Sequence, residues 1–217
     1  MKIQRGLSDL LEIKRKFSNA GFSGGMFVNV LYSAFRLATG IIYSSIWFIA
    51  LGIYHFTLGA LRFFLFICYR KTVRQPEKFG LNYEVNRYLL CATALMLTDI
   101  PMGFIVYLTV TTESGFYYPG YIIYLSATYT FYMATRAIIN FIRTKKNKSP
   151  VRSAMKIVDL VAAAMSVLGL QTAMIACFSH NSESYRVMMN ALTGAGVCFG
   201  VMAIVGYMFV KVFNGGY

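Results

Sequence analysis

The sequence predicts an all-α fold, a polytopic transmembrane helix bundle of about six spans led in by a basic N-terminal amphipathic helix. Three observations carry that prediction. Charged residues make up 13% of the chain and hydrophobic ones 57%. A water-soluble domain carries about 25% charged residues, so half of a soluble surface is missing. Apolar runs long enough to cross a ~30 Å hydrocarbon core recur along the whole length and leave no room for a separate soluble domain. The segments between these runs alternate between basic and nearly neutral, the pattern of a chain crossing a bilayer back and forth.

Residues 1–19 place Ile3, Leu7, Leu10, Leu11 and Phe17 near one helical face, with Lys2, Arg5, Lys14, Arg15 and Lys16 mostly elsewhere. This is the pattern of a basic helix lying on the inner membrane surface, and a frayed, solvated tail is the alternative. No small-x-small site follows at the distance a cleavable signal requires.

The stretch Gly24–Tyr69 contains no Lys and no acidic residue, and only Arg36, His55 and Arg62 interrupt it with basic groups. As one helix it would be roughly 69 Å long at about 1.5 Å per residue, more than twice the hydrocarbon core. Either it folds back as a hairpin, or one span carries a long piece outside the core. Thr39-Gly40 is the best turn for a hairpin and gives spans near 20–38 and 42–69. The third span lies near 89–110, broken chemically by Asp99 and mechanically by Pro101. The fourth, fifth and sixth lie near 121–142, 157–178 and 187–210, and Phe116, Tyr117 and Tyr118 form an interfacial aromatic belt before the fourth.

Counting Lys and Arg orients the chain. Segments 1–23, 70–87 and 143–156 hold 5, 5 and 6, whereas 111–120 and 179–186 hold 0 and 1. Basic segments stay on the cytoplasmic side, so both termini are expected there, in the plasma membrane, and that requires an even number of spans. The hairpin gives six and satisfies the rule; a single span gives five and violates it. The net charge of +13 is then explained by loops facing anionic headgroups, without nucleic acid.

Among residues that carry chemistry, Asp99 is the only carboxylate well inside a predicted span. Such a group costs about 2.5–3.5 kcal/mol on insertion scales, so it needs a partner, a water-filled cavity or a proton. Two readings follow, a cation or proton site aided by a carbonyl that Pro101 leaves free, or a salt bridge to an arginine. By depth, Arg62 and Arg136 stand level with Asp99, and the three are expected to form an intramembrane charge cluster in which Asp99 pairs with one of the two. Arg36, near the proposed turn, is expected to reach the outer headgroups, and Asp159 reads as a helix N-terminal charge or a ligand. His55 reads as a packed, hydrogen-bonded histidine. Gly196 and Gly200 form G-x-x-x-G and are expected to mark close helix packing, within the bundle or between protomers. Cys68, Cys91, Cys177 and Cys198 read as small hydrophobic residues, and no metal site or cofactor is expected.

The segments Ile42–Phe56, Tyr129–Lys146 and Ala191–Cys198 resemble an uncharacterised group of small polytopic membrane proteins from anaerobic Gram-positive bacteria. That resemblance implies a membrane protein and brings no catalytic residue with it. No G-x-S-x-G, H-E-x-x-H or paired glutamates occur, so catalysis is not expected. The reading at this point is a protein that binds or moves a small solute or ion near Asp99. The alternative is a membrane scaffold or partner subunit of a larger complex.

Overall fold

The computed structural model describes residues 27–111, 120–142, 149–178 and 183–216. All the regular structure in them is helical: α1 (Phe27–Ile42), α2 (Ile46–Arg74), α3 (Leu81–Thr111), α4 (Gly120–Ile142), α5 (Pro150–Phe178) and α6 (Glu183–Phe213). Lipid offers backbone groups no hydrogen bonds, so apolar segments there close their bonds internally as helices. Four of these helices, α2, α3, α5 and α6, are long and apolar enough to cross a membrane, which makes this an integral membrane protein. The predicted amphipathic segment 1–19 lies outside the described residues.

The central apolar stretch is a hairpin, but its turn is one helical turn later than expected. Helix α1 continues through Thr39-Gly40, and the chain reverses at Tyr43–Ser45, where Ser44 has φ +49°. The Tyr43 amide donates to Thr39 O at 3.0 Å and the Ser45 amide to Gly40 O at 2.9 Å, so the last carbonyls of α1 are satisfied as the chain leaves the helix. Gly40 serves close packing: a Cβ there would lie 2.6 Å from Ile49 Cγ1. Gly52 does the same one step down, where a Cβ would meet Leu37 at 2.8 Å, and Ser33 Oγ donates to Gly52 O at 2.8 Å. Small residues let two antiparallel backbones approach where a side chain would wedge them apart.

Helix α3 packs most extensively on α6 and α4 on α5, while α5 also touches α2 and α3 and so stands at the centre. Proline 101 does not break α3, which runs unbroken from Leu81 to Thr111. Helices α3, α5 and α6 start earlier, and α2, α3 and α6 end later, than hydropathy predicts, because hydropathy marks the lipid-bathed part while the hydrogen-bond ladder continues into the polar ends. Helix α5 shows this most clearly, beginning at Pro150, where a missing N–H costs nothing.

The α1–α2 turn defines one end of the bundle. Tyr43 and Tyr121 share a hydroxyl hydrogen bond of 2.8 Å there, which brings the start of α4 to that turn. At the opposite end Ser149 Oγ donates to Glu84 Oε2 at 2.5 Å, tying the start of α5 to the start of α3. Arg87 lies over Phe64 and Tyr83 at that end, and Arg152 over Tyr69. Lys71 and Arg74 in the last turn of α2 and Lys211 in the last turn of α6 stand at the same end. The charge asymmetry of the sequence is thus an asymmetry between the two ends of the bundle.

Candidate functional sites

A column of polar side chains runs through the otherwise apolar interior between α1, α2, α4 and α5. Near the basic end, Asp159 of α5 forms an ion pair with Arg62 of α2, both only 1% exposed. Arg136 of α4 approaches the same carboxylate at 3.6 Å, and Asn140 Nδ2 donates to Asp159 Oδ2 at 3.0 Å. The arginines singled out in the sequence do meet, but around Asp159, not around Asp99. Asp159 lies 2.5 turns inside the helix that starts at Pro150, which puts it near the depth of both arginines.

Towards the α1–α2 turn the column continues as an aromatic and amide cluster. Tyr32 and Tyr129 stack with ring centroids 3.5 Å apart and planes 5° apart, and His55 meets both rings edge-on. Tyr129 Oη donates to Asn29 Oδ1, and Nδ1 of His55 bonds Leu51 O at 2.8 Å. The packed, hydrogen-bonded histidine expected from the sequence is what stands here.

Arg36 closes the column, and it does not reach the headgroups. It is 0% exposed. Its Nε donates to Tyr32 Oη at 2.7 Å and its Nη2 to Ser126 Oγ of α4 at 3.1 Å, while the guanidinium lies over the Tyr32 and Phe48 rings. Gly169 of α5 makes room for it, since a Cβ there would sit 3.1 Å from Nη2.

Asp99 belongs to a separate place, the junction of α3 and α6. It is 3% exposed, and its Oδ1 has no hydrogen-bond partner among the described residues. Tyr54 of α2 and Cys198 of α6 stand close enough to interact with it electrostatically. The carboxylate borders a groove of about 390 Å³ lined otherwise by apolar side chains and glycine, including Val106, Tyr107, Phe199 and Met202. Several of these linings, Tyr107 and Phe199 above all, lie on the outside of the bundle, so the groove opens towards lipid.

No family model, curated protein or solved structure matches this chain.

The groove owes its closeness of walls to Gly194, where a Cβ would meet Val106 Cγ1 at 2.4 Å. Gly196 and Gly200 do not pack against any described residue: a Cβ at either would meet nothing within 4 Å among them. Gly194, Val201, Val205 and Met208 are the buried positions of α6. At about 100° per residue, Gly196 is rotated roughly 200° from Gly194 and faces the other way. Sequence reasoning missed Tyr32, Tyr129, Asn29 and Ser126 as polar members of the interior. Their spacing on α1 (Asn29, Tyr32, Ser33, Arg36) and α4 (Ser126, Tyr129, Thr130) is the i, i+3, i+4, i+7 signature of one helical face, and that periodicity was the available signal.

Proposed function

We propose that this integral membrane protein binds, and carries between the two sides of the membrane, a small cationic solute with an apolar body, held at Asp99. One observation supports the reading above others: a buried carboxylate oxygen with no hydrogen-bond partner among the described residues borders an apolar groove of about 390 Å³ that opens towards lipid. A carboxylate in such surroundings attracts a cation, and the aromatic and Met side chains beside it suit a hydrophobic body. A cation with a purely polar shell gains nothing from those walls. The proposal includes six spans in the plasma membrane with both termini cytoplasmic, because the basic ends of α2, α3, α5 and α6 gather on one side. The resemblance noted in the sequence agrees with this placement and adds no activity, and no catalytic role is assigned.

The test is equilibrium binding of tetraphenylphosphonium, a lipophilic cation, to the purified protein in detergent. Saturable binding that Asp99→Asn abolishes supports the site. Binding that is absent, or that survives the substitution, overturns it.

A scaffold role is favoured by a different observation, the open face of α6, where Gly196, Gly200 and Gly206 have nothing within 4 Å of a Cβ. Small residues at that spacing accept a helix of another subunit or of a second copy. Gly200→Leu would then dissociate a complex that the unsubstituted protein retains in mild detergent; an unchanged assembly state excludes this reading.

A further inference from the structure

The polar column has an excess of positive charge that its own residues do not balance. Arg36, Arg62 and Arg136 face it with one carboxylate, that of Asp159, and Asp159 is engaged with Arg62 and Arg136 at the basic end. Between that pair and Arg36 stand only neutral groups, the Tyr32–Tyr129 stack, His55 and Asn29. Of the other buried carboxylates among the described residues, Glu84 lies against Ser149 at the far end of the bundle and Asp99 borders the α3–α6 groove. Among the described residues no carboxylate lies in salt-bridge contact with Arg36.

Its hydrogen-bonding is equally one-sided. Among the described residues Arg36 Nη1 has no acceptor. The two groups that do accept from Arg36, Tyr32 Oη and Ser126 Oγ, are hydroxyls, and neither donates its own proton in any hydrogen bond of the described residues. The place therefore gathers a full positive charge, a free N–H group and two O–H protons, all without acceptors, in an interior where an unsatisfied donor costs about 1–3 kcal/mol. What completes such a set is a bound negative charge.

We propose that Arg36, Tyr32 and Ser126 form a binding site for a small monatomic anion of the halide class. Size follows from the walls. The guanidinium is already flanked by the Phe48 ring and stands so near Gly169 that one added methyl group would touch it. A tetrahedral oxyanion such as phosphate needs more room and more donors than these three residues provide. The site lies on α1, α4 and α5, apart from the α3–α6 groove of Asp99, so it stands independently of the cation reading.

The experiment is chloride-35 NMR line broadening on the purified protein in detergent, at constant ionic strength with gluconate replacing chloride. Saturable broadening that bromide displaces is expected for the unsubstituted protein. Ser126→Ala and Tyr32→Phe each remove one O–H donor and should weaken binding about tenfold, and Arg36→Gln should abolish the saturable part. Asp99→Asn should leave it unchanged. Chloride also touches surface lysines, so the comparison between variants decides the matter. Broadening that is unsaturable, or equal in the unsubstituted protein, Ser126→Ala and Tyr32→Phe, overturns the site. Those two mild variants preserve the guanidinium and keep the test valid if Arg36→Gln does not fold.

Discussion

Replacing Asp159 by Asn should be among the most damaging single changes in this protein, and its size can be worked from the geometry. The substitution keeps the shape and a hydrogen-bonding atom for Asn140, but removes the carboxylate that pairs with Arg62 among the described residues. Arg62 is 1% exposed and cannot turn to water, so breaking this buried pair should cost about 3–5 kcal/mol. Arg136 is 15% exposed and 3.6 Å away, so its share is that of a partly solvated pair, at most about 1 kcal/mol. At roughly 2–4 °C per kcal/mol for a chain of this size, the midpoint should fall by roughly 6–24 °C. With Cys177 and Cys198 replaced by Ser, a thiol-reactive fluorophore reports unfolding in detergent, because Cys68 and Cys91 are buried until the bundle opens. The double variant Asp159→Asn with Arg62→Met should regain at least half of the loss, since the stranded charge is gone. Asp99→Asn, which breaks no ion pair among the described residues, should shift the midpoint far less. The reasoning fails if Asp159→Asn is neutral, or if removing Arg62 as well gives no recovery.

Gly194→Ala should destabilise by about 1–3 kcal/mol because its methyl group would collide with Val106, whereas Gly196→Ala should leave thermal unfolding of the isolated chain unchanged. Gly40→Ala should cost a similar amount to Gly194→Ala, since the backbone amide nitrogen of Ile49 as well as its side chain lies within 3 Å of the added atom; an unaltered unfolding midpoint would show that the hairpin can open at no cost. Single cysteines at Ser114 and Ser182 in a cysteine-free background should react with an impermeant thiol reagent in intact cells, and one at Lys146 should not. The reverse pattern would invert the proposed orientation.

Much of the fold is legible in the sequence because lipid enforces helices and the basic segments mark one side. The hairpin in Gly24–Tyr69, the helical class and the separation of the basic end all follow from those constraints. The partner of the arginines does not, for two physical reasons. Hydropathy places the start of the fifth span at Ile157, which leaves Asp159 looking like a terminal charge; the helix itself starts at Pro150, and Asp159 lies well inside. Depth also says nothing about rotation. Counting from the basic boundaries sets Asp99 level with Arg62 and Arg136, but it stands beside Tyr54, about two helical turns nearer the start of α2 than Arg62, and it faces α6 while they face α5. Arg36 was misjudged through the turn: with the reversal at Tyr43–Ser45 and not at Thr39-Gly40, it sits about one helical turn deeper and on the inward face. Gly196 and Gly200 match a packing motif by spacing, yet the neighbour two positions earlier makes the contact, because a G-x-x-x-G pattern does not specify which face meets the bundle.

The proposed function turns on whether Asp99 is reached from the lipid phase and vacated by no protein partner. A lipid-soluble carbodiimide, which modifies carboxyl groups accessible from the bilayer, tests this in native membranes when followed by peptide mass spectrometry. The label should fall on Asp99 and not on Asp159, which is locked between Arg62, Arg136 and Asn140, and tetraphenylphosphonium should protect Asp99 in a saturable manner. Labelling of Asp159 in preference to Asp99, or labelling of Asp99 that the cation does not prevent, would contradict the account.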